Sequence, residues 1–156
     1  MNKSMSALFL MGILALPIAA MARPVTITTS MTNYRGSGAY MAIYLTDANG
    51  SYQQTLWVAG QHNRYYRNLR NWAQGSRLKS SEFDGLTGAT VHSGKTMSIK
   101  VDLPDTAFDV GNQIRIDTAV EHGYAVPSEV SVPLDTANSG KTFKGRTYVN
   151  SLRFDL

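Results

Sequence analysis

Short runs of alternating apolar and polar residues, broken by turns and by one stretch of helical spacing, constrain this chain most. Alternation at period two turns one face of a strand to a core and the other to solvent. Val25 to Asn33 has this form, with Val25, Ile27, Thr29 and Met31 against polar neighbours. Gly38 to Thr46 differs, with Tyr40, Ala42 and Tyr44 on one side and Met41, Ile43 and Leu45 on the other. Apolar residues on both faces predict a central strand. Asp47-Ala48-Asn49-Gly50 reads as a hairpin turn, with Ser51 to Val58 as the returning strand. Lys95 to Leu103 follows, with Met97, Ile99 and Val101 inward. Asn112 to Val120 sets Ile114, Ile116, Thr118 and Val120 against Arg115 and Asp117. Val126 to Pro133 carries prolines at 127 and 133, which suit an edge strand or strand ends. Lys144 to Leu156 reads most simply as one last strand.

The helical stretch is Arg64 to Gln74, with Asn63 as the expected cap and Gly75 as the expected stop. Tyr65, Leu69 and Trp72 fall at i, i+4 and i+7, one apolar stripe. Arg64, Arg67 and Arg70 lie away from it, either as a solvated face or as a positive surface toward a phosphate or partner. Many short strands and one helix predict a mainly β fold, an Ig-like β-sandwich with one short helix.

Residues 1–22 read as a cleaved signal peptide. Lys3 gives a positive start, Ala7 to Ala20 is an apolar run too short to span a bilayer, and Ala20-Met21-Ala22 is a small-residue cleavage signature. Residues 23–156 then form a single exported domain, large enough for one core. The chain has no cysteine, so an exported fold must hold without disulfides. Loss of the leader takes Lys3 and lowers the net charge from +4 to +3. So mild a balance does not point to nucleic acid.

Between the helix and the fourth long strand lies Asp84-Gly85-Leu86-Thr87-Gly88-Ala89-Thr90. Little here except Leu86 buries apolar area. Two glycines and an alanine leave the backbone almost bare around two threonine hydroxyls, as in a tight exposed loop that presents a hydroxyl. The segment resembles the flavinylation motif D-x-x-[ST]-G-A-[ST] of extracytoplasmic redox proteins. These include subunits of the sodium-pumping quinone reductase and of the related Rnf complex. In those proteins a flavin transferase uses FAD and Mg²⁺ to attach FMN, through its phosphate, to the last hydroxyl of the motif. The resemblance implies Thr90 as the acceptor and Asp84, Thr87, Gly88 and Ala89 as recognition residues.

The remainder of the chain is similar to a family of predicted periplasmic proteins, domain of unknown function 2271. The likeness runs from the Tyr40-Met41-Ala42-Ile43-Tyr44 strand through the Tyr/Arg/Trp helix and the motif. It continues to Arg115–Gly123 and the Val130-Ser131-Val132-Pro133-Leu134 strand. That family is associated with flavin transferases and PepSY-type membrane proteins. The implied function is a periplasmic electron-transfer module carrying covalent FMN on Thr90, a carrier rather than a complete enzyme. The alternative is a cofactor-free periplasmic β-sandwich that binds a ligand or serves as an accessory protein.

Other chemistries fit less well. Gly88 to Thr96 ends like a phosphate-binding loop but has five residues between its glycines where that loop needs four. Asp102, Asp105 and Asp109 lack the spacing of a calcium loop. His62, His92 and His122 are scattered, and with no cysteine they make no structural zinc pattern. His92 follows the acceptor by two residues and is placed to approach its phosphate. Tyr65, Tyr66, Trp72 and Phe83 are the aromatics nearest the motif in sequence, more often core or turn residues than flavin contacts.

Overall fold

The computed structural model describes residues 21–156, so the expected signal peptide lies outside the described residues apart from Met21 and Ala22. The architecture is the expected sandwich. One sheet has four strands in the order β5-β1-β9-β8. They are β1 (Ala22–Met31), β5 (Thr96–Pro104), β8 (Thr142–Lys144) and β9 (Val149–Asp155). The other has five in the order β4-β3-β2-β6-β7. They are β2 (Tyr40–Thr46), β3 (Tyr52–Ala59), β4 (Thr87–Gly88), β6 (Gln113–Ala119) and β7 (Ala125–Pro133).

Alternation does what the sequence predicts on β1, where Val25, Ile27, Thr29 and Met31 point inward. They meet Ile99 and Leu103 of β5, Leu152 and Phe154 of β9, and Met41, Ile43, Ile114, Ile116 and Val132 of the opposite sheet. Each such side chain contributes on the order of 1.5–3 kcal/mol by leaving water. Every residue of β2 is buried. Its second face packs under α1 (Arg70–Ser76) in a separate apolar cluster of Tyr40, Ala42, Tyr44, Val58, Tyr66, Leu69 and Trp72.

The expected Arg64–Gln74 helix is two pieces. A 3₁₀ turn covers Asn63–Asn68, and α1 begins only after Leu69, whose φ/ψ of −84°/75° breaks the spiral. His62 occupies the cap position expected of Asn63. Three residues per turn put Tyr66, Leu69 and Trp72 inward in place of the Tyr65 stripe. Gly75 lies inside α1, and the helix ends at Arg77 in the left-handed region (φ 54°). Gly75 is needed because a Cβ there would fall 2.4 Å from Cβ of Tyr52.

The expected last strand is likewise divided, as the hairpin β8–β9. Buried Glu129 holds the connection between the two strands. Its Oε1 accepts from the backbone N–H groups of Thr147 (2.8 Å), Tyr148 and Val149 (2.7 Å), and Thr118 donates to Oε2. Thr147 and Tyr148 lie in the gap between the two strands, and Val149 opens β9.

Asp117, expected on the polar side of β6, is fully buried because α1 covers that face. Its carboxylate accepts from the Tyr44 hydroxyl (2.9 Å), the Trp72 N–H (2.9 Å) and the Ser128 N–H (2.7 Å). Trp72 is the third residue of α1, and its amide is one of the four that a helix start leaves unpaired. Leu69 offers no side-chain cap, so a strand residue 45 positions away supplies one. An irregularity in the β6–β7 pairing, with Ser128 at φ 45°, brings the third donor to Asp117.

Candidate functional site

The motif sits at the end of the five-stranded sheet opposite the Asp47–Gly50 turn. Its first half is a tight turn. Leu86 N–H donates to Phe83 C=O (2.9 Å), and Gly85 has φ +79° with no atom near its missing Cβ. That angle at the third residue of the turn is the one that demands glycine. The second half was expected to be loop, yet it is pinned. Val58 N–H donates to Leu86 C=O (2.8 Å) and Gly60 N–H to Gly88 C=O (2.7 Å), which adds β4 in parallel to the end of β3. The edge of β3 has free amides here, and the motif backbone fills them.

Beyond Gly88 the chain crosses to β2. Val91 forms an antiparallel bridge with Ala39, closed by two backbone hydrogen bonds of 2.8 and 3.0 Å. Ala39 and Val91 turn into the sandwich core. By alternation, Gly38, Tyr40, Thr90 and His92 share the opposite face. There Thr90 is half-buried and borders an open cleft of about 250 Å³ with Gly38, Tyr40, Gln61, His62, Ala89 and Glu121.

Gly38 is the residue that sequence reasoning missed. Its φ is not positive, so glycine is not required by the backbone. It is required by space: a Cβ there would fall 2.4 Å from Thr90 Oγ1, 2.8 Å from Thr90 Cβ and 3.4 Å from Cε1 of His92. The Thr90 hydroxyl rests over bare backbone, and the His92 ring stands beside the same point.

The other motif residues divide. Asp84, Gly85 and Thr87 line a second cleft of about 430 Å³, facing Gln61, His62, Asn63 and Arg64. Asp84, Thr87 and Ala89 are exposed. Gly88 has a structural cause of its own, since a Cβ there would meet Cζ2 of Trp57 at 2.7 Å.

Of the four aromatics nearest in sequence, Trp72 is fully buried, and Tyr66, though buried, forms part of the lining of the larger cleft. Phe83 lines the larger cleft and backs onto Tyr66 with ring centroids 5.2 Å apart. Tyr65 packs on Tyr40 (5.2 Å) and lies under the Arg64 guanidinium (4.9 Å). Burial first, and the neighbouring Tyr65 second, hold the Tyr40 phenol above its ordinary value. Arg64, Arg67 and Arg70 are all exposed, and Arg64 lines the larger cleft.

The three histidines do not gather. His62 borders both clefts, His92 stands by Thr90, and His122 is an exposed turn residue (φ 59°) beside Glu121. Asp102, Asp105 and Asp109 are exposed. Asp105 pairs with Arg23 at 3.0 Å, and Asp109 accepts from Thr136 N–H at 2.8 Å.

The family described as "Predicted periplasmic protein (DUF2271)" matches residues 22–151. The chain belongs to this family. Its location is periplasmic, in keeping with the leader read from residues 1–22. No curated protein and no solved structure matches this DUF2271 chain. The match spans nearly the whole sandwich, so the motif cleft, α1 and the Asp117 anchor all fall within the family's domain.

Proposed function

We propose that this periplasmic domain carries FMN, joined through its phosphate to Thr90 Oγ1, and relays electrons between a membrane redox partner of the PepSY type and an extracytoplasmic acceptor. The observation that carries the reading is the Gly38 cradle. A threonine hydroxyl lies at an open cleft over a position where one added methyl group would collide with it. The completed motif Asp84–Thr90 adds support, since its acceptor and its exposed Asp84, Thr87 and Ala89 all face accessible surface.

Attachment needs a partner enzyme, a flavin transferase with FAD and Mg²⁺. The Thr90 oxygen bonds to the flavin-side phosphorus of FAD. The pyrophosphate bond to the AMP half breaks, AMP departs, and the hydroxyl proton passes to a base of the transferase. Thr90 supplies the oxygen, and the pinned backbone on either side of Gly88-Ala89-Thr90 fixes where it points. Ala89 keeps the approach low, and Asp84 marks the rim for recognition. Bound flavin would supply the electron chemistry, and the protein its position and surroundings.

Co-production with a flavin transferase tests this. The purified protein is expected to be yellow and to keep its flavin through denaturation. Thr90→Ser is expected to keep the label and Thr90→Ala to lose it, with Thr87→Ala as the control for the motif's other hydroxyl. Colourless wild-type protein, or a label that survives Thr90→Ala, overturns the reading and leaves a cofactor-free accessory sandwich.

A further inference from the structure

Two adjoining clefts run along the motif as the halves of a groove. Gln61 and His62 border both. One wall is the motif, with Asp84, Gly85 and Thr87 along the larger half and Ala89 and Thr90 along the smaller. The other wall is Gln61 to Arg64, the segment joining β3 to the 3₁₀ turn. We propose that this groove is the resting site of the isoalloxazine and ribityl chain of a flavin tethered at Thr90, with Gln61 and His62 as the residues that hold it. The proposal rests on the reading of Thr90 as the acceptor and adds where the free end lies.

Size, chemistry and continuity support it. Ligand clefts commonly measure about 300–1,000 Å³. The smaller cleft, at about 250 Å³, is too small for a whole flavin, but it shares the Gln61–His62 border with the larger cleft of about 430 Å³, which leaves the flavin's ring end a neighbouring surface to lie on. Tyr40 lies at the acceptor end and Phe83 along the larger half, giving apolar surface for the ring system. Gln61, His62, Asn63 and Arg64 supply side-chain hydrogen-bond donors and acceptors, the groups that a flavin's pyrimidine edge and ribityl hydroxyls require. Each is exposed, so none is committed to the core.

The test uses full-length protein labelled with FMN by co-production with a flavin transferase. The readouts are flavin fluorescence and visible circular dichroism. A ring seated against protein is held in a chiral setting, and aromatic neighbours quench it. Wild type is therefore expected to show induced dichroism and fluorescence below that of free FMN. Gln61→Ala and His62→Ala are each expected to keep the label, weaken the dichroism and raise the fluorescence. Lys100→Ala, exposed on the other sheet, is expected to change neither. Labelled wild type with the spectrum of free FMN, or both groove variants indistinguishable from wild type, overturns the groove while the carrier stands. Protein that takes no label at all overturns the carrier itself.

Discussion

Thr90 and Gly38 are a pair that only the fold reveals. They are 52 positions apart and meet because Val91 bridges Ala39. Overpacking of this kind costs about 1–3 kcal/mol, so Gly38→Ala should lower stability and reduce labelling at Thr90. Trimming Thr90 to alanine removes the colliding oxygen. The stability cost of Gly38→Ala, measured by urea unfolding, should therefore shrink in a Thr90→Ala background, and strict additivity would contradict the contact. Asp117 is the residue that the alternating pattern misplaced. Arg115 and Asp117 look alike as polar positions on β6, but α1 covers only the second. Asp117→Ala strands two amides and a phenol, and a buried donor left without a partner costs about 1–3 kcal/mol. A loss under about 1 kcal/mol in the same unfolding experiment would show that the helix start is held otherwise.

At the scale of elements, strands were legible and the helix only half so. Alternation is local, so β1, β2 and β6 can be read without knowing their partners. The helix depends on what it packs against: the break at Leu69 converts a spacing of four into one of three and trades Tyr65 for Tyr66. The divided tail was no more legible, since nothing within Lys144 to Leu156 announces that Glu129 will gather its amides. Two tyrosines tie α1 and the segment after it to the sheet, Tyr44 through Asp117 and Tyr52 through Glu82 at 2.6 Å. Burial is the main cause raising both phenols well above their ordinary value of 10.0, with Asp117 next for Tyr44 and Glu82 next for Tyr52. A raised folded-state value means that their stabilisation is complete below pH 10.0 and drains away as pH climbs toward the folded values. Melting temperature should fall above that pH, and Tyr44→Phe should flatten the fall. An equal slope in the variant would contradict the assignment.

At the scale of the whole molecule, the sandwich places the site. β2, β3 and β6 end together, so Gly38, Tyr40, Gly60, Gln61, His62 and Glu121 collect at one end although the sequence scatters them. One wall of the groove was readable as a contiguous motif. The facing wall was legible only at Asn63 and Arg64, as a helix start with a positive face, because nothing in Gln61 to Arg64 shows that β3 delivers it opposite Asp84. The motif also proved less loop-like than its composition suggests, since the bare edge of β3 takes up its carbonyls. The account turns on the modification of one hydroxyl, and tandem mass spectrometry of proteolytic peptides reads it directly. In protein co-produced with a flavin transferase, the peptide containing Asp84 to Thr90 should carry one FMN, less water, on Thr90. An unmodified peptide, or FMN on Thr87 or any other residue, would contradict the account.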